Sequence, residues 1–168
     1  MTSSDLSLRL ARLADATEIA AMSRALVEHG LRWSWGPERV AACIRDPNVY
    51  VLVARISEEI AGFAIMHYGD DEAHLALFAV TPRYRRGGVG RRLLAWLEKC
   101  AVVAGIARIV LEVRAGNRGA RAFYERLGYR KLADLPRYYE GREAAVRMGR
   151  ELGWGPGFRG RGSVGTEP

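Results

Sequence analysis

The segment that most constrains this chain is Arg85-Arg86-Gly87-Gly88-Val89-Gly90. It follows the apolar run Leu75-Ala76-Leu77-Phe78-Ala79-Val80 and the turn Thr81-Pro82. It precedes Arg91-Arg92-Leu93-Leu94-Ala95-Trp96-Leu97, whose apolar positions recur at helical spacing. The order is strand, glycine-rich turn, helix. Glycines at such a junction let backbone N–H groups converge at a helix N-terminus, where the partial positive charge favours phosphate. Five arginines fall between Arg83 and Arg92, which suits a multiply charged phosphate ligand. The bland alternative is a surface turn with solvated arginines. A Walker-type loop is excluded, because Gly90 is followed by Arg91-Arg92 and not by Lys-Ser/Thr. The three-glycine dinucleotide fingerprint is excluded by its spacing.

The rest of the chain bounds what that ligand serves. At 168 residues it fits one domain, which buries ~68–70% of its surface on folding. No apolar stretch approaches the ~20 residues of a membrane span. No basic segment followed by an apolar stretch opens the sequence, so no signal peptide is expected. Cys43 and Cys100 are isolated and lack metal-ligand spacing. They read as reduced thiols of a cytoplasmic protein, with no metal site. The net charge is +7, carried mainly by arginine, with Lys99 and Lys131 the two lysines. Such a balance can signal nucleic acid. The densest cluster, however, is tied to the glycine-rich turn, which favours a phosphate-bearing small molecule.

Leu6, Leu8 and Leu10 alternate with polar residues, as in a strand. Asp15 with Glu18 reads as a capping pair opening a helix to about His29, with Gly30 as its stop. Trp33-Ser34-Trp35-Gly36 is a loop, and Pro37 opens a short helix ending before Asp46-Pro47. Strands follow at 49–55 and 61–68, the second joined to the Leu75 strand by the turn Gly69-Asp70-Asp71. After the arginine-rich helix come a strand at 108–114 and a helix at 118–127 closed by Gly128. Strands at 129–135 and 143–148 flank the turn Glu140-Gly141. Residues 1–152 are thus expected to form one α/β domain, and 153–168 a glycine-rich tail that stays flexible unless a partner orders it.

Three segments carry a family likeness: Val80-Thr81-Pro82 through Leu94, Leu111-Glu112-Val113-Arg114-Ala115-Gly116-Asn117, and Ala122-Phe123-Tyr124-Glu125-Arg126-Leu127-Gly128-Tyr129. Their order and spacing resemble the GNAT superfamily of N-acetyltransferases. They look most like its ribosomal-protein-alanine N-acetyltransferase branch, whose members acetylate a protein N-terminal amine. The resemblance implies a mixed, largely antiparallel sheet with helices on both faces and a splayed pair of strands holding acetyl-CoA. In its terms Arg85, Arg86, Gly87, Gly88, Val89, Gly90 and Arg91 would hold the coenzyme A pyrophosphate. Phe78, Ala79 and Val80 would offer backbone hydrogen bonds to the pantetheine arm. Asn117 would bond the cofactor, or act as a helix cap or turn residue, or do both.

Acetyl transfer needs a group that takes the amine proton and one that protonates the departing thiolate. In the strand 108–114, Val110, Glu112 and Arg114 share one face. A carboxylate beside Val110 would be partly desolvated, which is expected to raise its pKa toward a useful value. Glu112 also matches the branch's catalytic glutamate; the other reading is a glutamate paired with Arg114 or another arginine. Tyr124 matches the family tyrosine that protonates the thiolate, and a phenol of pKa ~10 can donate at neutral pH. Its alternative is a packing aromatic beside Phe123 and Leu127.

The acceptor side is less specific. Trp33 and Trp35 lie in the loop that shapes the acceptor pocket in this fold, or else serve as core staples. Tyr138-Tyr139 stand in the late hairpin that closes over the acceptor in the branch. Here its turn is short and leads into Glu143-Ala144-Ala145, where the branch carries Glu-Asp-Ala. His67 and His74 are alternative bases or ordinary strand histidines. Cys100 and Cys43 read as core residues, which makes transfer direct. The expected acceptor is a protein or peptide N-terminal amine, with the protein a monomer or homodimer. The alternatives are a small-amine acetyltransferase and a non-catalytic acyl-CoA-binding module.

Overall fold

The structure, a computed structural model, describes residues 5–152. The glycine-rich tail expected from residue 153 onward lies outside the described residues. Seven strands form one sheet: β1 (Leu6–Leu10), β2 (Val49–Ile56), β3 (Glu59–Tyr68), β4 (Glu72–Val80), β5 (Arg108–Arg114), β6 (Arg130–Tyr139) and β7 (Glu143–Glu151). Their order across the sheet is β1-β2-β3-β4-β5-β7-β6. All neighbours are antiparallel except β4 and β5. Four helices connect them: α1 (Ala16–Leu26), α2 (Pro37–Arg45), α3 (Val89–Val103) and α4 (Arg118–Arg126).

The two sheet faces carry separate apolar layers. Ile19 and Ala20 of α1 and Val40 and Cys43 of α2 pack against Val51, Val53, Phe63 and Ile65. Leu93, Leu94 and Leu97 of α3 and Tyr124 of α4 pack against Leu52, Met66, Leu111 and Met148. The helices of each pair present apolar residues three and four apart, which is why each buries one stripe.

One irregularity in β4 positions the site. The buried residues Ala73, Leu75, Leu77 and Ala79 alternate as if all faced one way. They do not. Ile65 pairs with Leu77 and Met66 with Leu75, so β4 carries one extra residue, Ala76. This bulge turns the strand over. Ala73 and Leu75 join the α3 side, and Leu77 and Ala79 join the α1 side. Parallel pairing with β5 runs from Glu72 with Arg108 to Leu75 with Leu111 and then stops. From Ala76 to Val80 the β5-facing edge of β4 therefore has no strand partner, and a wedge opens there.

The helix at the start of the chain differs from expectation. Asp15 does not cap α1. Its carboxylate accepts from the Arg12 backbone N–H at 2.7 Å and from the Arg9 guanidinium at 2.8 Å. It therefore closes the preceding 3-10 turn, Leu13–Asp15, and ties it to β1. α1 ends at Leu26, short of His29, because Glu28 turns inward to bond the following loop. β6 runs four residues past the expected end at Leu135, with its register against β7 shifted between Leu135 and Tyr139.

Candidate active site

A cleft of about 1840 Å³ opens where β4 and β5 part. The start of α3 stands at one end of it, and the loop 27–36 with the β6–β7 hairpin at the other.

At the α3 end Phe78, Ala79, Val80, Arg85, Arg86, Gly88, Val89, Gly90 and Arg91 line the cleft; Gly87 does not. Gly88 precedes the helix at φ +85°, and no side chain caps the first N–H groups. A left-handed backbone favours glycine there. Gly90 is required for another reason: a Cβ would stand 3.0 Å from Phe78 Cζ and 3.2 Å from Phe123 Cζ. Those two rings stack at 5.7 Å and leave no room. The Arg85 Nε donates to the Val80 carbonyl at 3.1 Å, so that carbonyl is already engaged and only part of the expected strand edge is free. Asn117 lines the cleft and caps α4, its Oδ1 accepting from the Ala120 N–H at 3.1 Å.

Glu112 sits one residue past the last β4–β5 pair. His74 Nε2 lies 2.9 Å from its Oε1, the Tyr138 hydroxyl donates to the same oxygen at 3.1 Å, and the Arg147 Nε approaches Oε2 at 3.5 Å. The expectation of a raised pKa is corrected. Burial is the largest single influence and does push the carboxyl up. The hydrogen bond and charge of His74, the Tyr138 hydroxyl and the Arg147 guanidinium together outweigh it and hold the carboxyl below its ordinary value. Of the expected ion-pair partners, Arg114 or another arginine, Arg114 pairs instead with Glu143, and it is Arg147 that stands beside Glu112. His67 stands opposite His74 in the sheet register, and burial pushes its imidazole down.

Tyr124 lies on α4 with its ring 6.0 Å from Phe78, 5.4 Å from Phe123 and 5.7 Å from Tyr129. It is buried, yet it lines the cleft. Burial raises its phenol well above the ordinary value, so it carries its proton at neutral pH. Cys43, on α2, is buried in the apolar layer that α1 and α2 form against the sheet, and burial raises its thiol. Cys100, expected in the core, is half-buried on α3; burial raises its thiol as well.

At the other end Trp35 is 7% exposed and lines the cleft, with the Arg39 guanidinium 3.7 Å from its ring centre. It is core staple and cleft wall at once. Trp33 does not line the cleft. Its Nε1 donates to the Ala20 carbonyl at 3.2 Å, which lays the ring along α1 beside Arg24. Tyr138 and Tyr139 form an edge-to-face pair at 4.9 Å and both line the cleft. Burial pushes the Tyr139 phenol up to about 12. Tyr138 was expected as an acceptor wall and His74 as an alternative base or an ordinary strand histidine; their contacts with Glu112 depend on which strands become neighbours. Among the described residues no group of three or more metal-ligating side chains occurs, and no helix is long and apolar enough to cross a membrane.

The family model described as "Acetyltransferase (GNAT) family" matches residues 16–129. The chain belongs to the GNAT family. Among curated GNAT relatives, the ribosomal protein bS18-alanine N-acetyltransferase of Escherichia coli K12 is 43% identical over 93 residues, 54% of this chain and 63% of that protein. The match therefore spans less than two thirds of that relative. The corresponding Haemophilus influenzae protein is 34% identical over 124 residues, 71% of this chain and 82% of that one. The crystal structure of the ribosomal-protein-S18-alanine N-acetyltransferase from Escherichia coli superposes with a TM-score of 0.77 at 29% identity, covering 89% of this chain and 96% of that one. Ard1 from Thermoplasma volcanium gives 0.76 at 25% identity, covering 89% and 99%. The mixed sheet with helices on both faces is thus the GNAT fold, and the wedge between β4 and β5 is its splayed strand pair.

Proposed function

We propose that this protein is an N-acetyltransferase that moves the acetyl group of acetyl-CoA to a primary amine, in the first place the α-amine of a protein N-terminus. The observation that carries the reading is the meeting, in one cleft, of Glu112 and Tyr124 with the unpartnered edge of β4 and the uncapped start of α3.

The residues present fit acetyl-CoA. The N–H groups that open α3, flanked by Arg85, Arg86 and Arg91, suit its pyrophosphate. The exposed edge of β4 suits its extended arm, and the absence of a side chain at Gly90 lets Phe78 and Phe123 stack against the start of α3. Acetyl-CoA would supply the acetyl group as a thioester. The amine nitrogen forms the new bond to the carbonyl carbon as the carbon–sulfur bond breaks. Glu112, ionised and pointed at the cleft through the grip of His74 and Tyr138, takes the amine proton directly or through water. Tyr124 gives its proton to the departing sulfur, and the proton taken up by Glu112 leaves to solvent while solvent returns one to the Tyr124 oxygen, which restores both groups. The products are the acetylated amine and coenzyme A, and no covalent enzyme intermediate is required.

The acceptor follows from proton free energies. Deprotonating a lysine of pKa ~10.4 at pH 7 costs ~4.6 kcal/mol, against ~1 kcal/mol for an α-amine near ~7.8. A carboxylate held below its ordinary pKa is a weak base and suits the easier proton. Similarity to the bS18-alanine N-acetyltransferases supports the same choice. A screen of acetyl transfer to N-terminal peptides, free lysine, polyamines and aminoglycosides tests it. Higher kcat/KM on a small amine than on every peptide would overturn the peptide assignment; coenzyme A binding without turnover of any amine would overturn the enzyme assignment.

A further inference from the structure

We propose that Arg114, itself in the cleft wall, is a positioning residue of the acceptor site that sets the shape of the loop 27–36. The inference rests on the reading of that end of the cleft as the acceptor side.

The loop has little regular structure of its own, and polar groups hold it from three directions. Glu28, 6% exposed, accepts from the Ser23 hydroxyl at 2.9 Å, from the Ser34 N–H at 2.7 Å and from the Trp35 N–H at 3.3 Å. Glu140, at the tip of the β6–β7 hairpin, accepts from the Arg32 N–H at 2.5 Å. Arg114 is the third hold. Its Nη2 donates to the carbonyls of Val27 and His29, at 2.8 Å each. Its Nη1 donates to Glu143 Oε2 at 3.2 Å, at the start of β7, and its guanidinium carbon lies 5.8 Å from the Tyr139 ring centre.

One planar cation thus joins the C-terminal end of α1, the first residue of β7 and a hairpin tyrosine. Val27, His29 and Tyr139 all line the cleft. Arg114 is two residues from Glu112 on the same face of β5, so the hold on the acceptor wall and the base share one rigid strand. The carbonyls just past a helix end carry partial negative charge and lack helical partners, which is what a guanidinium satisfies. The fork makes both carbonyl bonds and the ion pair together. A lysine ammonium supplies one charge point and cannot reproduce that geometry. Three of its five N–H groups are engaged on these partners, both on Nη2 and one on Nη1.

The test compares wild type with Arg114→Met and Arg114→Lys in steady-state kinetics, using an N-terminal peptide that the wild type acetylates. Amide hydrogen exchange of residues 27–36 is measured on the same proteins. Arg114→Met is expected to raise the peptide KM at least ten-fold, keep the acetyl-CoA KM within two-fold, leave the kcat pH profile in place and speed exchange in 27–36 at least ten-fold. Arg114→Lys is expected to fall between, which keeps the test available should the methionine variant not fold. Unchanged exchange in 27–36 for the lysine and methionine variants overturns the proposal whatever the activity. So does a rise in acetyl-CoA KM equal to that for peptide. Faster exchange in 27–36 with no peptide turnover by the wild type leaves the hold on the loop standing and sinks only the peptide reading.

Discussion

Glu112 and His74 meet at 2.9 Å across β4 and β5, at the point where the parallel pairing of these strands ends. The proposed base is therefore gripped by the strand whose free edge begins a few residues on. Its carboxylate is ionised over the whole neutral range, held there chiefly by His74 against the push of burial.

Glu112→Gln keeps the shape of the side chain and removes its charge. We expect kcat to fall ~10²–10⁴-fold, the usual range for a lost general base. The residual rate should climb toward higher pH, where more of the amine is already neutral. The wild-type limb at neutral pH should follow the acceptor amine, not the glutamate, whose carboxyl titrates below its ordinary value. Wild-type rates in Glu112→Gln across the pH range would remove it from the mechanism.

His74→Ala should act on stability as well as on rate. In the wild type the Glu112 carboxyl lies lower in the folded than in the unfolded state. It therefore adds stability above about pH 4.3 that is lost as pH falls through the folded value. Without His74, burial is opposed only by Tyr138 and Arg147, and the folded value rises. The variant should lose ~1.5–3 kcal/mol at pH 7, as for a hydrogen bond to a charged group. The gap should close in acid, where Glu112 is protonated in either protein. A gap in Tm as wide at pH 3.5 as at pH 7 would contradict this origin.

The two glycines at the α3 end of the cleft should fail differently. Gly88→Ala meets no atom within 4 Å and is strained only by φ +85°, at ~1–2 kcal/mol. Gly90→Val drives a side chain into the Phe78–Phe123 stack and should weaken acetyl-CoA binding at least ten-fold in calorimetry. Unaltered affinity in Gly90→Val would detach this end of the cleft from the cofactor.

Tyr124→Phe should lower kcat while acetyl-CoA affinity stays within two-fold, because the aromatic packing against Phe78, Phe123 and Tyr129 survives the loss of the hydroxyl. A kcat equal to wild type would return Tyr124 to a packing role.

Cys43→Ser and Cys100→Ala should each keep kcat within a few-fold, since burial raises both thiols away from the reactive thiolate. Mass spectrometry should find no acetyl-cysteine. Ping-pong kinetics would show the opposite route.

What the sequence disclosed, and what it hid, divides along one physical line. The strand 108–114 and the four helices were legible because local periodicity and the Pro37, Gly88 and Gly128 signals report on their own neighbourhood. Gly88 and Gly90 were legible for the same reason, though the contact that requires Gly90 involves Phe123, on another element. The Ala76 bulge was not: Leu75, Leu77 and Ala79 alternate smoothly, and only register against β3 reveals the extra residue. Glu112 was legible as a candidate, but the sign of its pKa shift was not. That sign depends on His74, Tyr138 and Arg147, which β4, β6 and β7 bring in from 38, 26 and 35 residues away. Trp33 was misplaced because loop membership says nothing about the direction in which a ring turns.

The unpartnered stretch from Ala76 to Val80 has a cost when the wedge is empty. Five residues of strand then offer their β5-facing backbone groups to any extended chain, beside the apolar face of Phe78. Elsewhere proteins blunt such an edge with charge, proline or a covering helix; the nearest device here is the Arg85 side chain on the Val80 carbonyl. A ligand lying along the edge would occupy the place of the missing neighbour. Protein stripped of ligand should therefore self-associate more readily on storage than protein kept with coenzyme A, because the gap in the middle of the sheet adds a third free edge to those of β1 and β6.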